Sequence, residues 1–155
     1  MTNTWKIFVR HKPGVTDHRG AEIARECSRA GLKAVKKVHA GQAYELSGPA
    51  SEAEVRRLAD KLLADPVTQD AQVSAPSSVA APKGARLVQV WPKTGVSDPV
   101  GDTVRLAAKD LGVEGFTLVR SGHVFEFHGA ASPKDLLRFC EDHLMNAMVQ
   151  RAEVL

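Results

Sequence analysis

Shifting the sequence against itself by 81 positions aligns residues 5–74 with 86–155 without a gap, and 18 of the 70 aligned pairs are identical. An ungapped period of this length means that both halves of the chain take one fold. Five of the identical pairs are glycines: Gly14/Gly95, Gly20/Gly101, Gly31/Gly112, Gly41/Gly122 and Gly48/Gly129. Glycine persists where the backbone needs a positive φ or where another group approaches closely, so these pairs mark shared turns more than shared chemistry. Between the halves, Ser74-Ala-Pro-Ser-Ser-Val-Ala-Ala-Pro-Lys-Gly-Ala85 is rich in proline and small residues and has neither helical nor strand period. It reads as a linker. The expected organisation is a first repeat over residues 1–74, a linker over 75–85 and a second repeat over 86–155.

Each half has a legible order of elements. Trp5–His11, closed by Pro13-Gly14, and Arg86–Trp91, closed by Pro92, are β-branched and aromatic runs that predict a first strand. Asp98 followed by Pro99 is a helix N-cap with proline in the first turn, and Val104, Ala107, Ala108 and Leu111 share one face before Gly112. Ile23, Cys27 and Ala30, ending at Gly31, repeat that helix in the first half. Strands on either side of Ala40-Gly41-Gln42 and of Ser121-Gly122-His123 predict two β-hairpins. Ser51-x-x-Glu54 is a capping box opening a second helix, matched by Ser132-Pro133, and Thr68–Val73 and Val149–Val154 predict the closing strands. The fold class expected is α+β, as two tandem β-α-β-β-α-β subdomains of ferredoxin-like order. A lone unit of about 70 residues buries too little surface to be secure, so the halves are expected to pack on each other as a pseudo-dimer.

Composition narrows the function. Of 155 residues, 43% are hydrophobic and 25% charged, the balance of a globular chain. No apolar run nears the roughly 20 residues that span a bilayer, and the N-terminus lacks a signal-peptide pattern; a cytoplasmic protein without membrane contact is expected. Cys27 and Cys140 form no Cys-x-x-Cys, so neither a disulfide framework nor a zinc site is implied. The net charge of +3 resides in the first half, with 12 basic and 9 acidic residues against 8 and 9 in the second, plus Lys83 in the linker. Only Lys33, Lys36 and Lys37 with His39 approach a basic stripe, so nucleic acid is not an expected partner.

The chemistry-bearing residues form no catalytic pattern. Histidines at 11, 18, 39, 123, 128 and 143 contain no His-x-x-x-His pair, and along the chain none stands near a suitably spaced carboxylate, so no metal is expected. Cys140 lies on the apolar side of its helix and aligns with Ala59, which favours a core thiol over a nucleophile. Glu45 and Glu126 recur at one position of the third strand and read as outward-facing rather than as an acid/base pair. There is no phosphate loop, dinucleotide fingerprint or Ser/His/Asp constellation. Neither catalysis by this chain alone nor a cofactor is expected.

Three segments, each present twice, resemble one family. Lys12–Gly20, KPGVTDHRG, and Lys93–Gly101, KTGVSDPVG, resemble the K-x-G-V-x-D-P-x-G signature of the PurS subunit of phosphoribosylformylglycinamidine (FGAM) synthase. Val38–Leu46, VHAGQAYEL, and Val119–Phe127, VRSGHVFEF, are similar to its V-R-x-G-K-x-x-E-L. Lys61–Val73 and Cys140–Val154 are similar to its C-E-K-L-L-A-N-P-x-I-E-D-Y segment. The first repeat keeps Leu62-Leu63-Ala64-Asp65-Pro66 but has Ala59-Asp60 in place of Cys-Glu; the second keeps Cys140-Glu141 and has Ala147 in place of the proline. Such divergence is what a duplicated and fused homodimer undergoes once its copies need no longer satisfy an identical interface. Both halves lack the family's lysine after the central glycine, with Gln42 and His123 there.

The resemblance implies a non-catalytic subunit of an ATP- and glutamine-dependent ligase complex in de novo purine synthesis. Its partners would be a PurQ-type glutaminase that releases ammonia and a small PurL-type synthetase that uses it, with this chain bridging them as an intramolecular pseudo-dimer open to further oligomerisation. Loops carry recognition on rigid scaffolds, so the partner-interface candidates are Lys12, Gly14, Asp17 and Gly20 with Lys93, Gly95, Asp98 and Gly101. The alternative is a regulatory module binding a small molecule between paired ferredoxin-like units.

Overall fold

The computed structural model describes residues 2–155. Strand β1 (Asn3–His11) leads through the first loop to α1 (His18–Arg29), then β2 (Val35–Gly48), α2 (Glu52–Leu58) and β3 (Gln69–Ser74). The second half repeats this as β4 (Ala85–Pro92), α3 (Pro99–Asp110), β5 (Leu118–Gly129), α4 (Pro133–His143) and β6 (Gln150–Val154). Caps read from the sequence start the helices. Ser51 and Glu54 form a reciprocal capping box, Ser132 caps α4, and Asp98 caps α3 with Pro99 in its first turn. After α2 the chain continues through a π-helical turn, Ala59–Leu63. Among the described residues no helix is long and apolar enough to cross a membrane.

The predicted hairpins at Gly41 and Gly122 do not form. Each half keeps its β-α-β-β-α-β order, but the two middle strands run end to end as one, 14 residues long in β2 and 12 in β5. Neither glycine has a positive φ. A β-carbon on Gly41 would stand 2.5 Å from the Val9 carbonyl oxygen, and one on Gly122 would overlap that of Val90. These glycines therefore let a neighbouring strand approach closely, the other use of glycine within a strand, and they leave the chain free to continue straight.

Straight strands change the assembly of the sheet. β2 pairs with β1 over Gln42–Gly48 and with β5 along most of its length, giving the order β3-β1-β2-β5-β4-β6. From Val38↔Phe127 to Ser47↔Leu118 the two numbers of each pair sum to 165, so Gln42 faces His123. These two residues are also equivalents under the shift of 81, which puts a pseudo-twofold axis between them. The expected packing of the halves is thus edge to edge, in a single antiparallel sheet.

All four helices cover one face of that sheet, and the cores beneath them cross the halves. Val55 and Leu58 of α2 share a buried cluster with Val104 and Ala108 of α3. Ile23 and Cys27 of α1 share a second with Leu136, Phe139 and Cys140 of α4. On the opposite face Phe8, Ala43, Leu87, Trp91 and Val124 form a smaller cluster, against which Val79 and Ala81 of the linker pack.

Candidate functional site

The face opposite the helices carries the sheet's buried charged groups, Lys6, Glu45 and Glu126, because side chains alternate along each strand. Pairing of β2 with β5 places Glu45 opposite Arg120 and Glu126 opposite His39. Each carboxylate therefore meets cations of the other half. The sequence reading of these glutamates as simply outward-facing is corrected here: Glu45 is 8% exposed and Glu126 6%. At one end of the seam Arg120 lies 3.0 Å from Glu45 and packs over the Trp91 ring at 4.8 Å. Lys6, itself buried, lies 3.8 Å from Glu45 and donates to Gln89 Oε1 at 2.8 Å. At the other end Arg10 Nη1 donates to Glu126 Oε1 at 2.8 Å, while His128 Nε2 stands 2.6 Å from Oε2. His39 Nε2 approaches the same Oε2 to 3.9 Å. Buried carboxylates need such partners, since an unpaired charge away from water is costly.

The two repeated loops flank these ends. Gly14 and Gly95 hold turns at φ +86° and +84°. Asp17 caps α1 by accepting from the Gly20 N–H at 2.8 Å and ties the helix to β2 by accepting from the Ala40 N–H at 2.9 Å. Asp98 does the same for α3, accepting from Gly101 at 3.0 Å and from the Ser121 N–H at 2.6 Å. Gly20 and Gly101 are buried where each helix meets its strand; a β-carbon on Gly101 would stand 2.7 Å from the Val119 carbonyl oxygen. Six of the eight interface candidates thus shape the loops, and the two lysines present charge on them. Lys12 Nζ donates to the Pro66 carbonyl at 2.7 Å, and Lys93 is exposed.

Each loop borders an open cleft whose far wall is the other half's glutamate. The first, about 900 Å³, is lined by Arg10, Lys12, Asp17, Lys36, His39 and Glu126 among others. The second, about 380 Å³, is lined by Lys93, Asp98, Arg120 and Glu45 among others. The first presents more cationic than acidic groups, Arg10, Lys12, Lys36 and Lys37 against Asp17 and Glu126, whereas the second balances Lys93 and Arg120 against Glu45 and Asp98; in each the aspartate is already occupied by backbone donors. Burial holds the His39 pKa below the usual histidine value, partly offset by Glu126.

Residues at the seam that sequence reasoning did not select are Arg10, His39, His128, Lys6, Gln89 and Arg120. Part of this was legible: Glu126 and His128 are two apart and so share a strand face. His39 joins them only through the strand register. Its approach to Glu126 overturns the reading that no histidine stands near a suitable carboxylate. The cysteines fall in the core as expected, and burial raises Cys27 to about 11 and Cys140 to about 12.

Comparison with known proteins gives a result for each half. A family model described as "PurS: Phosphoribosylformylglycinamidine (FGAM) synthase" matches twice, over residues 4–77 and 86–155. No curated protein matches the chain. The structure of B. subtilis PurS in a C2 crystal form is similar at 26% identity and a TM-score of 0.43, covering 48% of this chain and 96% of that one. That of Methanocaldococcus jannaschii PurS, described as one of the subunits of formylglycinamide ribonucleotide amidotransferase in the purine biosynthetic pathway, is also 26% identical. Its TM-score is 0.39, and the match covers 48% of this chain and 94% of that one.

Proposed function

The chain belongs to the PurS family of FGAM synthase and carries that unit twice, and from this premise we propose that it is the non-catalytic bridge of an FGAM synthase complex. In this reading one polypeptide does the work of a PurS dimer. It holds a PurQ-type glutaminase and a small PurL-type synthetase in fixed relative orientation, so that ammonia released by one reaches the other without loss to water. The observation that supports the reading best is the fusion of two PurS units through β2 and β5 into one continuous sheet about a pseudo-twofold axis. A rigid scaffold with a loop at each end suits a part that positions partners and performs no bond chemistry. The partner-facing groups proposed are Lys12 and Lys93, presented by turns that Gly14, Asp17, Gly95 and Asp98 maintain. A cytoplasmic site of action follows from the partners.

The test is light scattering on the chain alone and mixed with cognate synthetase and glutaminase in the presence of ADP and glutamine, with glutamine-dependent turnover assayed on the same mixtures. A defined ternary complex whose turnover needs the chain is expected, and replacing Lys12 and Lys93 together with Glu should weaken its assembly at least tenfold. No association and no effect on turnover would sink the bridge reading and favour a small anionic metabolite in the 900 Å³ cleft.

A further inference from the structure

We propose that His39, Glu126 and His128 form a site for a borderline divalent metal ion, of which zinc is the best match, spanning the seam between the two halves. The three donor atoms lie within 4.8 Å of one another. Two imidazoles and one carboxylate are a donor set suited to zinc and its neighbours. Metal–ligand bonds of about 2.0–2.2 Å put tetrahedral donors roughly 3.3 Å apart. The observed separations of 2.6 Å and 3.9 Å from Glu126 Oε2 bracket that value. Binding requires that His128 withdraw from Glu126 Oε2 and His39 advance toward it by a little over half an ångström, and that the two imidazole donors, which lie within 4.8 Å of each other, close on the ion by rotation of their rings.

The surroundings are built for such a role. All three residues stand on the central strands, where the ladder fixes their backbone: His39 faces Glu126, and Lys37 faces His128. Arg10 engages Oε1 of the buried Glu126 and orients the carboxylate so that Oε2 points to the histidines. Its positive charge opposes a cation, and the negative carboxylate between them offsets it. Asp17 Oδ2 stands 3.9 Å from Nδ1 of His39, beyond hydrogen-bond reach and already accepting from the Ala40 N–H, so it adds a negative charge beside the ring edge away from Glu126. His39 and Glu126 line the 900 Å³ cleft, so the fourth position is open to water or a partner's donor. The equivalent positions at the other end are Arg120, Glu45 and Ser47, and an arginine cannot ligate. The site therefore exists at one end only, and the ion would clamp His39 of the first repeat to Glu126 and His128 of the second.

Isothermal titration of the untagged, metal-free full chain with zinc, and visible absorption on titration with cobalt(II), test this on the chain by itself, independently of any complex. One equivalent of zinc at micromolar affinity or tighter is expected, with cobalt bands of low coordination number. His128→Ala and His39→Arg, the latter copying the other end, should each weaken binding at least tenfold while the melting curve without metal stays cooperative. His143→Ala should leave binding unchanged. Absence of stoichiometric binding, or binding that both site variants leave intact, would overturn the proposal and reduce the cluster to an ion-pair network.

Discussion

Asp98 joins two elements with one carboxylate: it accepts from Gly101 at the start of α3, and from both the N–H and, at 2.6 Å, the hydroxyl of Ser121 on β5. Its role as a cap was legible because the acceptor and the donor three residues on are neighbours in sequence. Its second bond, to a strand 23 residues away, was not. Asp98→Ala leaves all three donors without their carboxylate and is expected to lower stability by about 1–3 kcal/mol, read as a fall in the melting temperature; an unchanged melt would mean that water replaces the carboxylate fully. The thiols make a second prediction at this scale. Cys27 and Cys140 stay protonated in the fold to about 11 and 12, against an ordinary 9.0. Their raised values contribute stability that is complete below pH 9 and is lost as pH rises toward 11, because the unfolded thiols ionise first. Neither should react with an alkylating reagent at pH 8 before the chain unfolds; rapid labelling of the native protein, followed by mass spectrometry, would show that the core opens.

At the scale of elements, the glycine pairs carry the main lesson. An x-Gly-x segment between two apolar runs has the composition of a hairpin, yet Gly41 and Gly122 serve close approach to the Val9 and Val90 carbonyls. Nothing local separates the two uses of glycine, since the deciding atom belongs to another strand. Gly122→Ala should cost about 1–3 kcal/mol or more, because the methyl group must displace backbone, measured by denaturant unfolding. Wild-type stability in that variant would contradict the strand contact described. Helix starts, by contrast, were read correctly from Ser51, Asp98 and Ser132, whose capping partners lie within three residues.

For the whole molecule, the consequence of straight middle strands is interdependence. Both helix-covered cores draw side chains from both repeats, so an isolated half exposes apolar surface that the other half covers. A fragment of residues 1–74 is expected to pair with itself through β2 or to remain unfolded, as light scattering and circular dichroism would report; a folded monomer would refute the shared cores. Cutting within the linker while keeping both pieces should leave them associated, since the β2–β5 ladder and the cores hold without it.

What the sequence alone determined was the repeat, the family, the helix caps and the α+β order, all of which rest on a fixed offset or on residues a few positions apart. What only the tertiary structure decided was that each middle strand runs through its glycine and pairs across a pseudo-twofold axis, bringing His39 beside Glu126 and Glu45 beside Arg120. Those encounters join residues 87 and 75 positions apart. They depend on strand register, which is set by the burial of one whole sheet face under four helices and not by any pattern within a single strand.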